Sequence, residues 1–226
     1  MKFDFDLRES DSPFVESIWR TNSVQADSFT STAEVKWEMV LMRHQGRNAF
    51  VVRGPETKAS PAPFPADAEW LGITFKLGTY IPILPLTDRV DGRNVELPES
   101  ANNTFWLDGK DWEFPTFENA DTFIRRLERE GLLAHDPVVG AVMQGEQPAY
   151  SPRALQYRFV RATGLSQKVI QQIERAKQAV SMLRQGVSIS DATFQAGYFD
   201  QSHLTNALRR FIGQTPTQIA AEQSGE

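Results

Sequence analysis

From Val35 to Trp112 the apolar and β-branched residues come in short runs, broken every few positions by Gly, Pro or an Asp-Gly pair, which is a strand-and-turn pattern. WEMVLMRHQGRNAFVVRGP predicts two strands joined by a tight turn at His44 to Gly46, and EWLGITFKL predicts another. DGRNVELP and WLDGKDWEFP each set a turn-forming Asp-Gly beside apolar or aromatic residues. Short strands at this spacing suggest a small barrel or jelly roll rather than an open α/β sheet. The stretch PETKASPAPFPAD holds four prolines in thirteen residues and predicts a loop inside the β region.

After Phe117 the period changes from strand to helix. Asn119 or Asp121 can cap a helix through DTFIRRLERE, with Gly131 ending it. Asp136-Pro137 and Ser151-Pro152 each combine a cap with a proline at the first helical position, opening DPVVGAVMQ and PRALQYRFVRAT. Ser166 opens a long helix through QKVIQQIERAKQAVSMLRQ, closed by Gly186. A short helix from about Ser188 to Gln195, a turn at AGYFD and a helix QSHLTNALRRF ended by Gly213 follow, and Thr215-Pro216 starts the last. Seven helices thus succeed the strands.

Short helix, Gly-containing turn and second helix make the helix-turn-helix plan, whose second helix lies in the DNA major groove. In QSHLTNALRRF, Leu204, Leu208, Phe211 and Ile212 recur at a spacing of three or four and predict the buried face. The other face presents Gln201, Ser202, Thr205, Asn206 and Arg209, with Arg210 beside it. Gln and Asn can bond adenine through two atoms, Arg can bond guanine, and Thr can meet a base edge or a thymine methyl. The same face also fits an ordinary solvated helix. SPRALQYRFVRATG repeats the design: Leu155 and Phe159 inward, Arg153, Gln156, Tyr157 and Arg161 outward. Between the two, a helix of roughly 20 residues would span about 30 Å, close to the roughly 34 Å between successive major-groove faces.

Composition narrows the chemistry. With no cysteine in 226 residues, a disulfide framework, a thiolate metal site, a cysteine nucleophile and thiol-based DNA-alkylation repair are all excluded. Three histidines, His44, His135 and His203, lie scattered, and the amino-terminal half has only the first, so a histidine-held metal centre is not expected. No catalytic group, metal site or cofactor is assigned. Trp37, Trp70, Phe75, Tyr80, Trp106 and Trp112 either line an apolar ligand pocket or form the β core. The start, MKFDFDLRES, is acidic where a signal peptide is basic, and no apolar run approaches the roughly 20 residues of a membrane span, so the cytoplasm is the expected compartment. Net charge is −5, yet unevenly spread. Residues 1–120 carry 12 Lys+Arg against 19 Asp+Glu, and residues 121–226 carry 12 against 10. From Pro148 to Gly213 the count is 9 basic to 3 acidic, which reads either as a polyanion-facing surface or as solvated helix faces.

SPRALQYRFVRATGLSQK, RAKQAVSMLRQG and SISDATFQAGYFDQSHLTNALRRFIGQTPTQI together resemble the carboxy-terminal DNA-binding domain of AraC-type (AraC/XylS) transcription regulators. The densest part of the match runs through Ile189, Gly197, Tyr198, Asp200, Ser202, Arg209, Arg210, Gly213, Thr215 and Pro216. The resemblance implies an α+β protein: a β-rich, cupin-like barrel or jelly roll over residues 1–117 that senses a ligand or dimerises, then an all-α domain over 118–226 with two helix-turn-helix units joined by a linker helix. It implies a regulator, activator or repressor, that binds double-stranded promoter DNA through Arg153, Gln156, Tyr157, Arg161, Gln201, Ser202, Thr205, Asn206, Arg209 and Arg210. RNA polymerase, a small-molecule effector and a second copy of the chain are further candidate partners; a membrane is not. The alternative is a cupin-like small-molecule-binding protein or enzyme whose helices mediate protein contact. Departures from the family pattern are Tyr157 and Asn206 where Arg is frequent, Leu204 and Leu208 where Phe is usual, Thr193 where a small apolar residue is usual, and a longer segment, AVMQGEQPAYS, before the first reading helix.

Overall fold

The computed structural model describes residues 4–92 and 94–222. Its strands are β1 (Asp6–Arg8), β2 (Val15–Ser23), β3 (Asp27–Ser31), β4 (Glu38–His44), β5 (Arg47–Arg53), β6 (Ser60–Phe64), β7 (Ala68–Phe75), β8 (Thr79–Tyr80), β9 (Val95–Leu97), β10 (Glu99–Ser100), β11 (Thr104–Leu107), β12 (Lys110–Glu113) and β13 (Ala134–His135). A 3₁₀ turn covers Leu86–Arg89. The helices are α1 (Ala120–Arg129), α2 (Pro137–Met143), α3 (Pro152–Thr163), α4 (Gln167–Arg184), α5 (Ile189–Gln195), α6 (Gln201–Phe211) and α7 (Pro216–Ala221). Strands followed by helices give the expected α+β architecture.

The chain divides into two compact units, and they do not part at 117/118. One comprises residues 1–27, 36–55 and 63–165; the other comprises 28–35, 56–62 and 166–226. Helices α1, α2 and α3 therefore belong with the main sheet, and two short pieces of the β region belong with α4 to α7.

In the first unit the sheet has the order β1-β2-β7-β4-β5-β9, with every neighbouring pair antiparallel. The β4–β5 turn is the expected one: Gln45 and Gly46 both have positive φ, 49° and 74°, as a two-residue hairpin requires. Asp108-Gly109 closes β11–β12 the same way, whereas Asp91-Gly92 leads from the 3₁₀ turn into β9 and makes no hairpin. Gly72 faces Trp19 across β2–β7; a Cβ there would fall about 2.0 Å from the indole, so only glycine lets that ring lie on the sheet. Phe50, Phe105, Trp112 and Phe123 form an aromatic cluster, with Phe50 on Phe105 and both Phe105 and Trp112 on Phe123 edge to face, and α1 closes it with Phe123, Ile124 and Leu127.

Two expectations need correction. PETKASPAPFPAD is not all loop: Ser60–Phe64 is β6, which pairs with β3 in a two-stranded ribbon. Proline is tolerated there because a two-stranded ribbon leaves one side of each strand outside the ladder. Helix α1 starts after Asn119, but the Asn119 carboxamide oxygen turns back to accept from the Thr116 N–H, so neither it nor Asp121 caps through its side chain. Asp121 instead accepts from Arg8 and Ser10 at 2.6 Å each, tying α1 to the start of the chain.

The second unit packs α4 against α5, α6 and α7 through Ile170, Ile173, Ala176, Ala179, Val180 and Leu183. Segments 28–35 and 56–62 meet the end of α6. There Ala33 N–H donates to the Phe211 carbonyl (2.6 Å) and Ala59 N–H to that of Arg210 (2.7 Å), satisfying acceptors that a helix terminus leaves open. Lys177 of α4 pairs with Glu34 at 2.8 Å.

Candidate nucleic-acid interface

Helices α5 and α6 build the second helix-turn-helix from local signals. Ser188 caps α5 by accepting from Asp191 N–H, and Asp200 caps α6 by accepting from His203 N–H at 2.7 Å. Gly197 supplies the positive φ, 74°, that the turn between them requires. Thr193, the unusual hydroxyl on α5, is fully buried and satisfied: its Oγ1 donates to the Ile189 carbonyl at 2.6 Å. Leu204 and Leu208 are fully buried, with Phe211 and Ile212 nearly so. Gly213 ends the helix at φ 82°, and Thr215 with Gln218 forms a capping box for α7.

With the apolar stripe inward, Gln201, Ser202, Asn206, Arg209 and Arg210 are exposed, as expected. Thr205 is half-buried and its hydroxyl donates to the Gln201 carbonyl at 2.7 Å. Among the described residues, the side chains of Gln201, Ser202, Asn206 and Arg209 have no hydrogen-bonding or ionic partner in the protein. Arg210 lies over the Phe211 ring, 5.1 Å from its centroid.

Helix α3 is set differently. Ser151 caps α3 by accepting from Ala154 N–H, and Gly164 closes it at φ 73°, where a Cβ would meet the Leu86 carbonyl at 2.8 Å. Phe159 is fully buried, while Leu155, expected inward, is only half-buried. Arg153, Gln156, Tyr157 and Arg161 are exposed, but the Arg161 guanidinium sits 5.2 Å from the Tyr80 ring centroid. Arg158, not singled out from sequence, donates to both Asp136 carboxylate oxygens at 2.7 and 2.8 Å and lies over Tyr150. Thus α3 is fastened to β8, the 3₁₀ turn and the start of α2 within the first unit.

Residues 146–222 match the family model of a helix-turn-helix domain. That helix-turn-helix domain covers α3 to α7 and carries the resemblance to AraC-type regulators at the carboxy-terminal end of the chain. The structure of ToxT from Vibrio cholerae at 1.65 Å resolution is similar to this chain with a TM-score of 0.42 and 8% identity, over 98% of this chain and 99% of that one. No curated protein matches.

Of the six rings considered for a ligand pocket, Trp37, Phe75, Tyr80 and Trp112 belong to the core; Trp37 stacks on Phe75 at 3.8 Å. Trp106 is exposed. Trp70 lines a cleft of about 390 Å³ with Leu41, Arg20, Arg43, Glu69 and Phe117, and its buried Nε1 has no hydrogen-bond partner among the described residues. His44 ends β4 at the hairpin, as expected. Among the described residues no group of three His, Cys, Asp or Glu is placed to hold a metal, and no helix is long and apolar enough to cross a membrane.

Sequence reasoning missed the surroundings of Tyr198. Its ring is 5% exposed, meets His203 edge-to-face at 5.1 Å and lies under Arg175 at 5.7 Å. Burial pushes its hydroxyl pKa up, against the opposing charge of Arg175, so it stays protonated at neutral pH. The available signal was a tyrosine, with a hydroxyl to satisfy, at an otherwise apolar position between Gly197 and the cap.

Proposed function

We propose that the chain is a DNA-binding transcription regulator of the AraC type, reading base edges in the major groove with α6. One observation carries this: a capped, core-anchored helix-turn-helix whose second helix turns Gln201, Ser202, Asn206 and Arg209 to solvent, with no side-chain partner among the described residues. The helix backbone fixes where these side chains start, and their donors and acceptors are free to meet base edges. Arg153, Gln156, Tyr157 and Arg161 on α3 form the second reading set, in an adjacent groove. The β-rich unit takes a small effector, and the cleft beside Trp70 is the best candidate for it, since it joins an apolar wall to Arg20, Arg43 and Glu69.

Binding of the full chain to DNA flanking its own gene tests this reading. A shift that weakens steeply between 50 and 200 mM salt, as counterion release demands, and that survives excess random duplex is the expected result. A folded chain with no affinity for that DNA at low salt sinks the proposal.

A further inference from the structure

Between α4 and α6 lies a half-open pocket of about 230 Å³, lined by Gln172, Arg175, Tyr198, His203, Asn206 and Arg210 with Ala207 and Phe211. All of these belong to one compact unit. The lining contains two guanidinium groups, an imidazole, two carboxamides and a phenol, and no carboxylate. Such a set offers donors and positive charge without an opposing anion, the chemistry that binds a phosphate oxygen.

One group in it is unexplained by the fold. Among the described residues the buried Tyr198 hydroxyl has no hydrogen-bond partner, although its ring is well packed. A phenylalanine would supply the same packing without leaving a polar atom unsatisfied. Arg175 is held nearby by a long contact from its Nη1 to the Gly197 carbonyl (3.5 Å), which leaves its other donors available. Asn206 lines the pocket and also belongs to the outward face of α6. A group seated there is therefore adjacent to whatever α6 reads.

We propose that this pocket seats one backbone phosphate of the DNA strand read by α6, with the Tyr198 hydroxyl and the Arg175 guanidinium donating to its oxygens and Arg210 and His203 flanking them. The seat fixes the register of α6 in the groove, so that Gln201, Asn206 and Arg209 meet the same base pairs in every encounter. Tyr198 thereby acts in positioning and not in base readout. The inference rests on the DNA-binding reading above.

The test uses the full chain, Tyr198→Phe and Arg175→Gln, with affinity measured on cognate and unrelated duplex and melting temperature measured without DNA. Tyr198→Phe should bind both duplexes about tenfold more weakly, the loss of one hydrogen bond to a charged acceptor. Its melting temperature should not fall, because the hydroxyl has no partner in the free protein. Arg175→Gln should weaken both duplexes and reduce the salt slope by about 1. On cognate duplexes carrying a single methylphosphonate at successive backbone positions, one position should abolish the difference between parent and Tyr198→Phe. If the parent binds DNA and both variants bind as it does, the phosphate seat is wrong while the DNA-binding reading stands. A parent with no affinity for duplex removes both. A Tyr198→Phe chain whose lost affinity comes with a lowered melting temperature assigns the hydroxyl to the fold and overturns the seat.

Discussion

Helices α3 and α6 share one sequence grammar and end in different surroundings. Each opens on a capping side chain, Ser151 or Asp200, and each is followed closely by a glycine at positive φ, Gly164 or Gly213. Their polar faces carry similar residue types. Yet α3 is held by β8, the 3₁₀ turn and Asp136 in the first compact unit, whereas α6 packs on α4, α5 and α7 in the second. The helix-turn-helix match over residues 146–222 therefore runs across two compact units. Local pattern makes a helix and its apolar stripe; which core receives the stripe is decided by contacts far away in sequence. Two helices built alike can thus be tied to different parts of one chain. On the polar face of α3 a basic side chain, Arg161, lies against Tyr80 of the β region.

The largest effect that can break this contrast comes from emptying each core. Phe159→Ala should cost about 3–5 kcal/mol and Leu208→Ala about 2–5 kcal/mol, since both side chains are fully buried. Amide hydrogen exchange should place the first loss in the main sheet and α1, and the second in α4 to α7. If Phe159→Ala instead loosens α4 to α7, α3 belongs with the second unit and the division above is wrong.

Next in size are the base contacts. Asn206→Ala should cost roughly 1–3 kcal/mol at the cognate site and relax the preference at one base pair, while leaving the melting temperature unchanged. Gln156→Ala on α3 should do the same at a different base pair if both helices read. Binding site selection with each variant checks the pair. Relaxation at Asn206 alone would leave α6 as the sole reader and α3 as a structural helix of the β-rich unit.

Seven helices and the change of grammar after Phe117 were legible in sequence because their signals are local: capping side chains, proline at the first position, glycine at the end. The buried stripe of α6 followed from spacing alone. Strands β1 to β3 were not anticipated, since VESIWRTNS alternates weakly and DSFTS is nearly all polar, so only sheet pairing reveals them. Proline masked β6 for the same reason. The division at Leu165 was invisible because it depends on Leu86 and Tyr80 meeting α3 from more than seventy residues away. On the polar faces of α3 and α6, residue types could be named from period, but the tie between Arg161 and Tyr80 and the unsatisfied hydroxyl of Tyr198 are tertiary facts.

Acid sharpens the contrast by a smaller amount. Burial raises the Asp121 pKa, but hydrogen bonds from Ser10 and Arg8 and the charge of Arg8 outweigh it, and the carboxyl is held below its ordinary value. A depressed carboxyl contributes stability above its unfolded pKa and loses it as pH falls through the folded one. Asp121→Asn should therefore destabilise the first unit by about 1 kcal/mol at pH 7, and the gap from the parent should close as pH drops below the carboxylate range. Exchange rates in β1 and α1 read this. A gap that persists at low pH would mean that the ion pair with Arg8 is not its source.

The smallest expected effect concerns Lys168. It occupies the first turn of α4, just after the cap Ser166, is exposed, and among the described residues has no partner. A cation there opposes the helix dipole, which favours negative charge at that end, so the fold gains nothing from it. Removing the charge should leave the melting temperature unchanged or raise stability by about 0.3–1 kcal/mol. If Lys168 meets a phosphate, the same Lys168→Ala change should weaken cognate and random duplex alike and lower the salt slope by about 1. Affinity then falls while stability does not, which no loss of structure can produce. Arg184, at the other end of α4, makes a useful control: it suits the dipole there and pairs with Glu222 at 3.7 Å, so its removal should lower stability slightly. Should Lys168→Ala bind DNA with the parent's salt slope, the amino-terminal end of α4 lies away from the backbone, and phosphate contact in this unit is confined to the surroundings of α6.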